Sequence, residues 1–90
     1  MDLGYIRDEH KYDRVREKHG VSFGEVVDVF EGERTLYEVD PQGNVDRQMA
    51  VGGTREGRIL QVIFSYEDAP LIRLITSFDA SNGWQDEYRR

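Results

Sequence analysis

The sequence predicts a small α+β fold, in which two N-terminal helices and a short C-terminal helix pack on a four- to five-stranded, mostly antiparallel meander sheet. Apolar residues first recur with a helical period, and after Gly32 they alternate as they do in strands. Short turn sequences separate the strand candidates. Because 90 residues hold one core, we expect a single domain over residues 1–90.

The N-terminal segment begins with a predicted short strand over residues 4–7. Asp8 is a suitable N-cap for a helix that runs to about His19. Gly20 is expected to end this helix, because glycine readily adopts the left-handed conformation that follows many helices. The segment therefore supplies one strand and one helix.

The second helix has the clearest local pattern. Ser22 and Glu25 have the spacing of a capping box, and Val21 and Val26 have that of a hydrophobic staple. Apolar residues at the spacing of one buried helix face follow, namely Phe23, Val26, Val27 and Phe30. Gly32 is expected to end this helix.

Four strand candidates follow, over residues 35–39, 47–52, 58–66 and 71–78. Their short connections can join only antiparallel neighbours, so they predict a meander. The third candidate is apolar on both faces, which is typical of a central strand covered on both sides. We expect the C-terminal segment or another chain to cover the second face. Ser81 can cap a last short helix that places Trp84 and Tyr88 on one side.

The composition excludes several classes of function. The chain has no cysteine, which rules out disulfides, thiolate zinc sites and a cysteine nucleophile. No apolar run approaches the length of a membrane span and no secretory signal is visible, so we expect no membrane contact, and the lack of cysteine fits a reducing cytoplasm. No His, Asp and Glu residues have metal-ligand spacing, so we expect no metal or other cofactor.

The formal net charge of −6 is concentrated in one segment. Residues 25–46 hold seven acidic residues and one basic residue, whereas acids and bases cancel in the rest of the chain. This distribution does not support a broad basic surface for duplex nucleic acid. The acids, among them Glu31, Glu33 and Glu38, are either a solvated sheet edge that resists self-association or a docking surface for a basic partner.

Two groups of basic residues are candidates for chemistry. Lys18 and His19 close the first helix, where His19 is either a general base or, with Lys18, a stabilising charge at the helix end. Lys11, Arg14 and Lys18 form a stripe on that helix, which is either solvated or holds an RNA backbone.

Three arginines lie on successive strands: Arg47, Arg58 and Arg73. An arginine within an apolar strand requires an anionic partner, or it faces solvent or a ligand. The three side chains are therefore either a phosphate-binding cluster or partners of carboxylates such as Glu56 and Glu38.

Several of these residues carry a resemblance to a known family. The sequence KHGVSF at residues 18–23, followed by Glu25 and residues 29–30 (VF), resembles the BrnT-type toxins of bacterial type II toxin–antitoxin pairs. Arg47, GRIL at residues 57–60, IRLITS at residues 72–77 and EY at residues 87–88 are similar to later parts of that family's sequences.

The resemblance implies a RelE-like fold with the order β-α-α-β-β-β-β-α and a metal-independent ribonuclease. It also implies RNA as substrate and neutralisation by a cognate, DNA-binding antitoxin, with a homodimer or a toxin–antitoxin hetero-oligomer as the assembly. By position, Lys18 and His19 are candidates for proton transfer or phosphate contact. Arg58 and Arg73, with Arg47, are candidates for stabilising the phosphate, and Lys11, Arg14 and Tyr88 for substrate contact.

The chain departs from the family pattern at three places, and it is acidic whereas family members are often basic. Phe78 and Asp79 stand where a basic residue is usual, the last helix is acidic rather than rich in arginine, and Phe64 replaces a common histidine. Fewer cations weaken both RNA affinity and transition-state stabilisation. An alternative is therefore a catalytically weakened relative that acts as a protein-binding module.

Overall fold

A computed structural model describes residues 5–6 and 17–90, and within that part it contains a five-stranded sheet. The strands are β1 (Tyr5–Ile6), β2 (Leu36–Val39), β3 (Gln48–Gly53), β4 (Ile59–Ser65) and β5 (Ile72–Asp79). Their spatial order is β1-β5-β4-β3-β2, with β1 parallel to β5 and every other pair antiparallel. The predicted meander and the mostly antiparallel sheet are confirmed.

Two helices lie entirely within the described residues, namely α1 (Phe23–Glu31) and α2 (Asn82–Arg89). The capping box of α1 is formed as predicted: the backbone N–H of Glu25 donates to Ser22 Oγ, and the N–H of Ser22 donates to Glu25 Oε1. Residues 17–19 are helical and Gly20 has a φ of 64°, as expected for the end of the predicted first helix. The earlier residues of that helix lie outside the described part.

The two faces of the sheet carry separate hydrophobic clusters. On one face α1 packs through Val26, Val29 and Phe30 against β3 and β4. On the other face Trp84 and Tyr88 of α2 pack on a cluster that includes Met49 and Ile59. The C-terminal segment therefore covers the second face of the central strand, and all seven residues of β4 are buried.

α1 lies unusually close to β3 at Gly52. A Cβ atom at this position would come within 2.9 Å of both Thr35 Oγ1 and Val29 Cγ1. Only glycine lets the strand pass at this distance, so Gly52 fixes how deeply α1 sits on the sheet. Within the described residues, no helix is long and apolar enough to cross a membrane.

Candidate active site

Arg58 precedes β4 and connects four parts of the chain. Its guanidinium donates to the backbone carbonyls of Gly20 at 2.7 Å and His19 at 2.9 Å. It also donates to Asp79 Oδ1 at 2.5 Å and to Glu25 Oε2 at 3.2 Å. These contacts satisfy carbonyls that the end of a helix leaves without a donor. Arg58 therefore ties the end of the first helix to α1 and to the end of β5.

The electrostatics of this group follow from the same contacts. The hydrogen bond from Arg58 lowers the pKa of Asp79, and the charges of Arg58 and His19 act in the same direction. The hydrogen bond to Asp79 likewise raises the pKa of Arg58, although partial burial opposes the change. Asp79 and Arg58 are thus held in their charged forms.

His19 lies beside β5, next to the Arg58 group. Its ring centroid is 5.9 Å from that of Phe78, with the two planes inclined by 52°. The side chain is partly buried, whereas the neighbouring Lys18 is exposed. Because Arg58 binds the carbonyl of His19, the backbone that carries the imidazole is fixed to the sheet.

Phe78 also lines a cleft of about 180 Å³ on the α2 side of the sheet. The cleft combines polar and apolar side chains, namely Asp40, Pro41, Gln42, Arg47, Gln61, Ile63, Thr76 and Phe78. Within the described residues, the Arg47 guanidinium forms no hydrogen bond or salt bridge, and it attracts the Asp40 carboxylate only weakly. The cleft therefore offers a cation for an anionic ligand, with an aromatic ring and His19 nearby.

Asp40 is held in its own turn and does not compete strongly for Arg47. Its carboxylate accepts the backbone N–H of Gln42 at 3.0 Å and the side-chain amide of Asn44 at 2.6 Å. These hydrogen bonds lower the pKa of Asp40, so that it is an anion at neutral pH.

The three strand arginines do not form one cluster. Arg58 lies near the pair Leu60 and Asp79, at one end of β4 and β5, whereas Arg73 is paired with Ser65 at the other end. Arg73 forms ion pairs with Asp68 and Glu67. Arg47 lies toward the Arg73 end, because the next residue, Gln48, is paired with Phe64. Two of the three therefore form ion pairs with carboxylates, whereas Arg47 forms none with the described residues and only a weak attraction links it to Asp40.

The remaining candidates lie at several places. Tyr88 packs on β3 at Gly53, where an added Cβ would come within 3.2 Å of the tyrosine hydroxyl. Glu31, Glu33 and Glu38 are exposed, and Glu31 is 3.9 Å from Arg55. Lys11 and Arg14 lie outside the described residues. Among the described residues, no three His, Cys, Asp or Glu side chains are grouped to hold a metal ion.

Sequence reasoning missed the carboxylates that bind Arg58. The sequence predicts a capping role for Glu25 and a departure from the family pattern at Asp79, but it predicts neither residue as a partner of Arg58. The sequence does contain a signal for the pair with Asp79. If the two strands joined by the turn at residues 67–70 pair in antiparallel fashion, Arg58 comes close to Asp79. The observed pairing differs slightly from a simple count, owing to a register shift at Ile63 and Phe64.

Comparison with known proteins agrees with this structure. The family described as the ribonuclease toxin BrnT of type II toxin–antitoxin systems matches residues 8–83. The crystal structure of the Brucella abortus ribonuclease toxin BrnT superposes with a TM-score of 0.71. That alignment covers 90% of this chain and 100% of the Brucella chain at 24% sequence identity, so it supports the fold. No curated protein sequence matches.

Neither comparison favours the alternative of a binding module without nuclease activity. Because the family match extends over most of the sequence and the fold agrees, the chain belongs to the BrnT family of ribonuclease toxins of type II toxin–antitoxin systems, and membership implies a protein antitoxin as partner and RNA as target.

Proposed function

We propose that the cleft and the adjacent His19 are the site at which this toxin cleaves RNA without a metal ion. In this reaction the ribose 2′-oxygen attacks the adjacent phosphorus and the bond from phosphorus to the 5′-oxygen breaks. The products are a 2′,3′-cyclic phosphate and a 5′-hydroxyl. A base must accept the 2′-hydroxyl proton, an acid must protonate the leaving 5′-oxygen, and a cation must stabilise the charge on phosphate.

The observation that carries this proposal is the Arg47 guanidinium, which has no hydrogen bond or ion pair among the described residues and lies in a cleft whose Phe78 wall contacts His19. Arg47 supplies the cation, since a guanidinium binds phosphate oxygens with two parallel hydrogen bonds. His19 and Lys18 are the candidates for proton transfer. Phe78 offers a ring on which a base can stack, which is a sequence-tolerant way to hold single-stranded RNA.

The other site residues have supporting roles in this proposal. Arg58 acts through the carbonyls of His19 and Gly20. Arg73 is kept as a predicted phosphate contact, for which the RNA phosphate competes with Asp68 and Glu67. Lys11, Arg14 and Tyr88 are retained as predicted substrate contacts. Residues 1–90 form one toxin domain that acts in the cytoplasm.

Replacing Arg47 with alanine is expected to lower kcat/KM for a short single-stranded RNA by about 10–100-fold, because a charge-assisted hydrogen bond contributes about 1.5–3 kcal/mol. Cleavage is measured in EDTA, and the RNA ends are analysed for the cyclic phosphate. Arg55→Ala is the matched control, since Arg55 is an exposed arginine outside the cleft. Equal losses in both variants, or cleavage that stops in EDTA, would contradict the proposal.

We further propose that the antitoxin is a DNA-binding protein with a basic contact region, and that it docks on the acidic segment in a toxin–antitoxin hetero-oligomer. The exposed side chains of Glu31, Glu33 and Glu38 support this proposal. Exposed acids attract a basic partner over a distance that salt shortens. A homodimer of the toxin within that assembly is compatible with the same docking.

Replacing Glu31, Glu33 and Glu38 together with glutamine is expected to reduce the salt dependence of antitoxin binding and to slow association. The measurement is the association rate of the antitoxin encoded beside this gene, taken over a series of salt concentrations. Glu87→Gln, a partly exposed acid on α2, is the control. An unchanged salt dependence in the triple variant would count against docking on these acids.

A further inference from the structure

An apolar patch at one edge of the sheet is left open to solvent. Tyr37 and Val39 of β2 are 52% and 73% exposed, and Tyr66, just after β4, is 55% exposed. Tyr37 and Val39 alternate along one face of β2, with Glu38 on the opposite face. The chain therefore exposes three large apolar side chains together, although its surface elsewhere is rich in charge.

The patch is held rigidly by the core. The ring of Phe64, which is fully buried, makes edge-to-face contacts with Tyr66 at 5.3 Å and with Tyr37 at 6.3 Å between centroids. Phe64 in turn contacts Phe30 of α1 at 5.0 Å. A partner that covers the tyrosines therefore meets side chains that are already positioned, which lowers the entropic cost of binding.

Among the described residues, no strand pairs with the outer side of β2, because β2 is the edge strand of the sheet. Edge strands are commonly protected by proline, lysine or a bulge. β2 has the sequence LYEV and pairs with β3 in uninterrupted register, so none of these devices is present. The only charged side chain on the strand is Glu38.

We propose that β2 is the antitoxin docking strand, to which the antitoxin adds an extended segment with alternating apolar and basic side chains. The apolar side chains lie on the face of Tyr37 and Val39, and the basic side chains lie on the face of Glu38. Backbone hydrogen bonds along β2 supply affinity, and the alternation supplies specificity. This inference rests on the proposed recognition of a basic antitoxin region and names the surface that performs it.

Charge distinguishes this occupant from a second copy of the toxin. The segment 25–46, which contains β2, has a net charge of −6. Pairing two copies through β2 would bring two such segments together, and like charges across strands are destabilising. A basic segment gains attraction at the same place. The acids around β2 therefore act against self-association and in favour of the antitoxin.

The test compares Val39→Lys with Val45→Lys in antitoxin binding. Lysine on an edge strand opposes strand addition, and here it also repels a basic partner. Val45 lies in the turn after β2 and is 98% exposed, and its replacement by lysine changes the charge by the same amount. We expect Val39→Lys to weaken binding of the adjacently encoded antitoxin by at least about 30-fold, the size of an interface hot spot, and Val45→Lys to do so much less.

Hydrogen exchange provides a second measurement. Residues 36–39 are expected to gain backbone protection when the antitoxin is bound. Protection elsewhere but not on β2 would overturn the proposal, and so would equal antitoxin binding by both lysine variants. It would also be overturned if the free toxin forms a dimer and Val39→Lys abolishes that dimer. Both variants are expected to cleave RNA at the wild-type rate, so failure of docking is distinguishable from failure of the proposed nuclease site.

Discussion

Replacing His19 with alanine is expected to lower the rate of RNA cleavage by about 10²–10⁴-fold, the usual contribution of one acid–base group. The imidazole is the side chain best suited to exchange a proton at neutral pH in the described part of the site. Its backbone is fixed by the hydrogen bond from Arg58 to the His19 carbonyl, and its ring rests near Phe78. The measurement is single-turnover cleavage of a short RNA under saturating toxin.

Two further variants separate chemistry from packing at this position. His19→Gln keeps a polar side chain of similar reach but cannot act as an acid or base near neutral pH, so it is expected to be as slow as His19→Ala. Lys18→Ala tests whether the exposed neighbour supplies the second proton transfer. Full activity of His19→Gln would show that the imidazole has no acid–base role, and His19 would then be a stabilising residue of the helix end.

Most of the fold could be predicted because its local patterns agree with one another. The capping box of Ser22 and Glu25 is a short-range feature, and the structure forms it as the spacing predicts. The predicted strands differ from the observed ones by about a residue at most ends, since the pairing of terminal residues depends on neighbouring strands. Leu60, Val62 and Phe64 alternate along the third strand candidate, as expected for one face of a strand, and all three are fully buried in one cluster.

The partners of the arginines could not be predicted in the same way. A guanidinium binds a carboxylate and a phosphate with the same geometry, so an arginine in a strand does not reveal which it meets. The choice depends on long-range pairing, which places Asp79 opposite the start of β4 and Asp68 beside Arg73. Phe64 stands where a histidine is common in the family, and a histidine at this position would be surrounded by Phe30 and two tyrosines.

Replacing Arg58 with alanine is expected to lower the free energy of unfolding by about 2–4 kcal/mol and to reduce RNA cleavage as well. The change removes the Arg58 donor from the carbonyls of His19 and Gly20 and from the carboxylates of Glu25 and Asp79. The side chain is only 27% exposed, so water replaces these contacts poorly. Urea denaturation measures the loss of unfolding free energy. RNA cleavage, measured at urea concentrations at which the variant stays folded, shows how far the activity of His19 depends on Arg58.

Arg73→Ala is the matched control, because Arg73 also lies at a strand end and pairs with an aspartate, Asp68. Its side chain is 41% exposed, and among the described residues its ion pairs are with the acidic side chains of Asp68 and Glu67, so its loss is expected to lower the free energy of unfolding much less than the loss of Arg58 does. Equal losses in the two variants would mean that Arg58 contributes as an ordinary surface ion pair. The distinction matters for the mechanism, since only Arg58 binds the backbone that carries the candidate base.

Acid provides an independent check on the same pair. Because Arg58 lowers the pKa of Asp79 in the folded state, the pair contributes stability above the ordinary aspartate value of 3.8. That contribution is lost as the pH falls from 3.8 through the lowered pKa of the folded protein, where Asp79 takes up a proton. The difference in unfolding free energy between wild type and Arg58→Ala is therefore expected to shrink in acid. A difference that stays constant would assign the effect of Arg58 to the two backbone carbonyls, which do not titrate.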